Sequence, residues 1–367
     1  MLLERDTLGS GASSRAAGIV RSQGGTPWAV HLAEWSRRFY LGQQEELGTD
    51  SGFVAQGYFI PCFTEAEVAQ AKARLDMQAA LGLSVRWITP SEADRLNPTL
   101  APGRTLGGTF RDEDGYICPP RNVTAYAVAL AHTGVDVRER TAFLGVSASG
   151  GRVRSVDTSA GRIDTPVVVL TGGPGIAAVG QAAGVRIPAG GVRHQVAVTE
   201  PHPDLAPERL PMVFDLSSGL YWRPEEGGML FGVSNPDECQ GAARFLDLAH
   251  LDRMRVRLAD LVPVTEGLRL RRVWAATIDF TPDHLPIVGP ALRPDGPIGG
   301  VTVACAGGHG MMWGPGVAKA AADLALTGAT DVLDVSDLGL DRFDHEGRSR
   351  LSPDPIALPF PERILQA

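Results

Sequence analysis

The sequence predicts a mixed α/β (α+β) fold. A Rossmann-like dinucleotide-binding domain, incomplete at its N-terminal edge, joins a second domain built on an antiparallel sheet. Three observations predict this. First, the chain opens on Met1-Leu2-Leu3-Glu4, a short apolar stretch closed by an acid, followed at once by Gly9-Ser10-Gly11. An acid at the carboxyl end of a second strand is the ribose ligand of a βαβ nucleotide unit. Second, strand-like and helix-like segments alternate along the chain. Third, from Val135 the pattern turns to short, turn-bounded β segments.

The elements follow in order. HLAEWSRRFYLGQQEEL has helical spacing, with Leu32, Trp35, Phe39 and Leu41 on or near one face. EAEVAQAKARLDMQAALGL reads as a second helix, and PSEADRLNP as a short one started by Pro90 and Ser91. Arg121 to Ala131 reads as another, after Cys118-Pro119-Pro120. Gly150-Gly151 and Gly161 mark hairpin turns around a segment in which Val153 and Val156 flank polar residues. The unbroken β-branched run in PVVVLT predicts a buried strand. VRHQVAVTEP, GLYWRPEEGGMLFGVS and GLRLRRVWAATIDF alternate and are turn-bounded. A last strand, GGVTVACAG, runs through a glycine-rich turn into the helix GVAKAAADLAL, and the Pro- and Asp-rich tail after Asp331 is expected to be loosely ordered.

Composition narrows the function classes. The 367 residues are 44% hydrophobic and 21% charged, as in soluble globular proteins, and suffice for two domains. A net charge of -8 argues against nucleic acid or an anionic membrane as the main partner. Lys72 and Lys319 are the only lysines, and both fall in helical patterns. Cys62, Cys118, Cys239 and Cys305 are widely spaced, which suits neither a disulfide framework nor a zinc site. No metal centre, secretory signal or membrane span is expected, and the location expected is the cytoplasm.

Three glycine-rich turns follow strands. Gly9-Ser10-Gly11-Ala12-Ser13-Ser14-Arg15 offers hydroxyls and amides to an anion, or is an ordinary polar loop. Gly172-Gly173-Pro174-Gly175-Ile176-Ala177-Ala178 contains a fit to G-x-G-x-x-A, from Gly173 to Ala178. Pro174 lacks an amide donor and Arg193, not an acid, lies about 20 residues on, so a tight strand-to-helix turn is the better reading. Ala306-Gly307-Gly308-His309-Gly310-Met311 precedes a helix whose N-terminus stabilises negative charge, with His309 a structural residue or an acid/base group. Asp112-Glu113-Asp114-Gly115 lacks the further ligands of a calcium loop and reads as a hairpin turn.

Taken together, Glu4, GSGASSRAAGIVR, DGYICPPRN, PVVVLTGGPG, VRHQVAVTEP, YWRPEEGGMLFG, VWAATIDFTPDHLPIVGP and GGVTVACAGGHGMMWGPGVAKAAADL resemble, in order, the FAD-dependent amine oxidoreductases. This D-amino-acid-oxidase-like group includes sarcosine and dimethylglycine oxidases and dehydrogenases, glycine oxidase and proline dehydrogenase subunits. TPD-x-x-P-x-x-G followed by GGHG is the most specific pair, and the resemblance covers almost the whole chain. Relatives begin with a strand, a G-x-G-x-x-G turn and a helix before the strand that ends at Glu4, so a start placed too late is expected here.

The resemblance implies FAD, with Glu4 on the adenosine ribose and Ser13, Ser14 and Arg15 along the pyrophosphate and flavin. Gly172 and Gly173 would pack on the cofactor, and Gly308, His309, Gly310 and Met311 would lie by the flavin carbonyl. It implies a discontinuous FAD domain (1–55, 133–190 and 285–335), a substrate domain (56–132 and 191–284) and a C-terminal tail (336–367). The expected reaction is hydride transfer from a carbon beside an amine nitrogen of a secondary or N-methylated amino acid (sarcosine-, dimethylglycine-, glycine- or proline-like), giving an imine. His309, Tyr221 and Arg21 are the expected catalytic residues, and Arg21, Arg193, Tyr221 and Arg223 the expected substrate contacts. Arg15 stands where covalent relatives carry a flavin-linked histidine, so non-covalent FAD is expected. Leu230 stands where monomeric sarcosine oxidases hold an oxygen-activating lysine, which favours a dehydrogenase. A homo- or hetero-oligomer fits the family. The alternative is a flavin-poor, non-catalytic subunit of a hetero-oligomeric amine dehydrogenase.

Overall fold

The computed structural model describes residues 1–205, 210–238, 240–242 and 244–361. Cys239 and the last residues of the tail lie outside them.

The larger of two main sheets has eight strands, in the order Leu270–Phe280, Gly190–Thr199, Gly228–Val233, Leu220–Glu225, Met212–Asp215, Tyr58–Pro61, Gly108–Arg111 and Arg86–Ile88. Neighbours are antiparallel except Met212–Asp215, which runs parallel to Tyr58–Pro61. Side-chain alternation splits each strand between two faces. Phe59, Val213, Trp222 and Phe231 pack on Leu251, Met254 and Leu258 of the Leu248–Leu261 helix. Tyr58, Phe214, Tyr221 and Leu230 point the other way and meet Ile356 and Ala17. That second face lies over the candidate site.

The other main sheet is mixed. Gly296–Cys305 is its axis, parallel to Val168–Leu170 and to Arg152–Thr158, and antiparallel to Ile287–Arg293. The expected opening strand forms as Leu2–Leu3, paired in parallel with Val137–Arg138. The PVVVLT run differs from expectation. Only Leu170 is buried, while Val167 and Val169 are 38% and 39% exposed. Val168–Leu170 pairs, among the described residues, with Gly296–Cys305 alone, so half of its surface has no neighbour to cover it.

Two long helices brace this sheet. Pro27–Leu47 begins four residues before the periodic pattern because Thr26 caps it, its hydroxyl accepting from the Ala29 amide at 3.3 Å, with Pro27 in the first turn. Gly310–Thr327 lies against it, and Gly316 brings the backbones close enough for its amide to donate to the Ser36 hydroxyl at 3.1 Å. Ala29, Leu32, Ala33, Trp313, Val317 and Ala320 fill the contact.

The tail after Asp331, expected to be loose, is packed. Leu338, Leu340, Ile356 and Phe360 are buried, and the Arg342 guanidinium forks onto the Asp283 carboxylate at 2.7 and 3.0 Å. Scattered apolar residues with no helical or strand period give little signal in sequence, yet each fills a gap left by the two sheets. No helix among the described residues is long and apolar enough to cross a membrane.

Candidate active site

The site forms where the eight-stranded sheet faces the segment after Ile19–Val20. Arg21, the next residue, is 2% exposed and its guanidinium lies over the Tyr58 and Phe214 rings, 5.8 and 5.6 Å from their centroids. Its Nη2 donates to the Ile356 carbonyl at 3.0 Å, while Nε and Nη1 are buried without a partner among the described residues. A buried guanidinium short of two acceptors is costly unless a ligand supplies them.

The loop behind Arg21 is fixed by Asp114, which the sequence placed in a hairpin turn. Asp114 is fully buried and accepts from the Ser22 amide at 2.9 Å, the Gln23 amide at 3.4 Å and Arg111 at 2.9 Å. Burial pushes its carboxyl above the ordinary range, against the pull of Arg111 and the two amides. Arg111 also reaches Glu34 at 3.1 Å. Burial raises Glu34, but its bonds with Arg37 and the charge of Arg111 outweigh that and hold it at about 2.

His309 lies in the turn before Gly310–Thr327. Its ring packs on Trp313 with centroids 4.4 Å apart, and Nδ1 lies 3.3 Å from the Gly307 carbonyl. Burial, then the charge of Arg21, lowers its pKa to about 3, so the ring is neutral near pH 7. No side chain caps this helix, leaving first-turn amides open to an anionic group. Gly308 has φ +92° and could not be replaced: a Cβ there would lie 2.7 Å from the Phe360 ring and 2.9 Å from the Asp279 carbonyl. Phe360 also stacks on Phe280, at 5.5 Å. Met311 joins through its carbonyl, which accepts from the Tyr40 hydroxyl at 2.8 Å.

Tyr221 stands on the same sheet face as Tyr58 and Phe214. Its hydroxyl is 2.6 Å from His194 Nε2, and His194 Nδ1 is 3.1 Å from the Ser234 hydroxyl. Burial lowers His194 to about 4 and pushes the Tyr221 phenol well up, so both are neutral near pH 7. Sequence reading missed His194; its alternation with Val196 and Val198, which share that face, was the available signal.

Two of the other expected arginines hold partners within the protein. Arg193 points to the opposite face, its Nε 2.8 Å and Nη2 3.0 Å from the Glu238 carboxylate, as the strand alternation requires. Arg223 is engaged, donating to the Ala17 and Pro224 carbonyls at 3.0 Å and lying over the Tyr116 ring. Glu4 follows the opening strand, and its carboxylate accepts from the Asp6 amide at 2.7 Å. Ser13, Ser14 and Arg15 form a single 3-10 turn, with the Arg15 guanidinium on the Ser10 and Gly11 carbonyls. Gly172 and Gly173 make the expected tight turn before the seven-residue helix Ile176–Ala182.

A mixed sheet, an acid after the short opening strand Leu2–Leu3, an uncapped helix at a G-G-H-G turn and a largely antiparallel covering sheet together fit a two-sheet nucleotide-cofactor oxidoreductase. The chain belongs to the FAD dependent oxidoreductase (DAO) family, whose model matches residues 1–324. It is 28% identical over 362 residues to 4-methylaminobutanoate oxidase (formaldehyde-forming) of Paenarthrobacter nicotinovorans, covering 95% of this chain but 43% of that protein. It therefore spans less than half the length of that relative. It is 26% identical to sarcosine oxidase subunit beta of Rhodobacter capsulatus, covering 93% of this chain and 81% of the other. Its fold is that of L-proline dehydrogenase from P. horikoshii, with a TM-score of 0.85, 24% identity and coverage of 95% and 91%. It is also 30% identical over 302 residues to glycine oxidase of Geobacillus kaustophilus, covering 78% of this chain and 77% of the other.

Proposed function

We propose that this chain oxidises the C–N bond of a secondary or N-methylated amino acid to the imine, with FAD held non-covalently, and that it works as a dehydrogenase. The observation that carries this reading is Arg21, a buried guanidinium with two unpaired nitrogens beside His309 and two aromatic rings. A carboxylate supplies the missing acceptors in bidentate form, which both binds and orients an amino acid.

The residues present fit the cofactor. An uncapped helix at Gly310 suits an anionic ring system, and the Glu4 carboxylate is an acceptor for ribose hydroxyls. FAD, when bound, supplies the hydride acceptor. The chain orients the substrate and keeps water out. Arg21 holds the carboxylate, while Tyr58, Phe214 and Tyr221 wall the remainder. With His309 and His194 both neutral, neither brings a proton to the amine near pH 7. Arg15 is bound into its own loop, which supports a flavin held without a covalent link there.

Anaerobic mixing of the FAD-loaded chain with sarcosine, N,N-dimethylglycine, proline, glycine and 4-methylaminobutanoate tests the reading. At least one should bleach the oxidised flavin, and acid precipitation should leave the flavin in the supernatant. If every member fails, or if an amine without a carboxylate bleaches as fast as its amino acid, the proposal is wrong.

A further inference from the structure

The stretch after Asp354 crosses the candidate site from end to end. Ile356 is buried and packs with Tyr58, Phe214 and Tyr221, the aromatic side chains around Arg21. Its carbonyl takes the hydrogen bond from Arg21 at 3.0 Å. Four residues on, the Phe360 ring stacks on Phe280 at 5.5 Å, lies 5.3 Å from the His284 ring and meets His309 edge-on at 6.4 Å. It also lies against Gly308. One short segment therefore covers both the cation and the G-G-H-G turn.

Arg21 Nε and Nη1 are buried as well as unpaired, so a carboxylate reaches them only if a covering group moves. The Tyr58 and Phe214 rings stand on strands held in the ladder of the eight-stranded sheet. Residues 355–360 belong to no strand or helix. Among the described residues, no backbone–backbone hydrogen bond joins them to anything outside 354–360; the Ala357 amide only turns back on the Asp354 carbonyl, at 3.2 Å. Two side chains reach their backbone, Arg21 at Ile356 and His284 at Leu358. The chain just before them is fixed. The Asp283 carboxylate accepts from Arg342 at 2.7 Å and from the Ser349 hydroxyl at 2.6 Å, and its carbonyl accepts from the Asp354 amide at 3.2 Å. A segment without ladder bonds, next to a firm anchor, is the part of this cover that opens at least cost.

We propose that residues 355–360 form a latch that pivots at Asp354 and competes with the substrate carboxylate for Arg21. The inference rests on the amino-acid reading above and adds how that site opens. Closed, the Ile356 carbonyl holds the guanidinium, while Ile356 and Phe360 keep water from the site. A carboxylate is the stronger acceptor and takes over the guanidinium as the segment lifts. Only the open form binds, so the apparent affinity is the intrinsic one reduced by the open fraction.

The test is hydrogen exchange and thermal melting of the full chain in sodium acetate against sodium chloride at equal ionic strength. Acetate should raise Tm saturably, as a ligand of the folded state does. At saturation the amides of Ile356, Ala357, Leu358 and Phe360 should exchange at least about tenfold faster than in chloride, because the latch is held open. Phe360→Ala, which loosens the closed form, should reach its half-maximal Tm shift at about tenfold less acetate. If acetate raises Tm but leaves exchange over 355–360 unchanged or slower, the segment is a fixed wall: the latch is overturned and the Arg21 reading stands. Phe360→Ala needing as much acetate as the wild type, or more, also overturns it. If acetate shifts Tm in neither protein, the carboxylate reading falls with it.

Discussion

The Arg21 guanidinium donates to the Ile356 carbonyl, 335 residues away, at 3.0 Å, and this is its one hydrogen bond among the described residues. A neutral carbonyl is a weaker acceptor than a carboxylate. The tail therefore places Arg21 without satisfying it, which leaves the cation ready for a ligand.

Arg21→Gln should raise KM for the amino-acid substrate by at least about tenfold, the loss of a charge-assisted pair. Arg21→Lys should recover little, because an ammonium cannot reproduce the planar fork. Steady-state kinetics on both variants checks this, and an unchanged KM in Arg21→Gln removes Arg21 from the binding site.

His309→Asn should leave flavin content and the pH profile of the limiting reduction rate close to wild type. The ring is already neutral across the working range, since burial and Arg21 lower its pKa to about 3. Proton transfer by a side chain contributes about 10²-fold or more where it occurs. A loss of that size with normal flavin content would make His309 an acid/base group.

Acid should destabilise the fold in a defined window. His309 and His194 have folded pKa values of about 3 and about 4, below the ordinary value of 6.5. The unfolded chain therefore binds more protons, and stability falls as pH drops from 6.5 toward those values. Denaturant melts across that range should show a shallower slope in His194→Asn than in the wild type; an identical slope would contradict the buried neutral ring.

Asp114→Asn should cost about 3–5 kcal/mol of stability, because it leaves Arg111 short of a buried partner and weakens the hold on the Ser22 and Gln23 amides. Chemical denaturation measures it. A loss below about 1 kcal/mol would show that Glu34 and Glu113 suffice for Arg111.

Reduced, FAD-loaded protein should pass electrons to a quinone or dye faster than to oxygen. Leu230 is buried on the site-facing sheet, and Lys72 and Lys319 lie in helices elsewhere, so no lysine stands there to stabilise superoxide as it forms. Stopped-flow reoxidation decides. Oxygen reacting as fast as turnover, with stoichiometric peroxide, would mean an oxidase.

The sequence by itself determined the two-sheet α/β class, the family and the short-range features. Helical spacing from Leu32 to Leu41, the turn at Gly172 and the G-G-H-G turn are each encoded within a few neighbours, where period and glycine placement carry the information. It also brought Arg21, Tyr221 and His309 forward by resemblance. Only the tertiary structure shows which arginines have partners within the protein. Arg193 and Arg223 looked equivalent to Arg21 in sequence, but strand alternation turns Arg193 onto Glu238, and Arg223 is spent on Ala17 and Pro224. Asp354 meets Gly25, and Phe360 meets Gly308, from distant parts of the chain. A guanidinium's partners depend on what the folded chain brings within about 3 Å of it, and a linear pattern does not encode that distance.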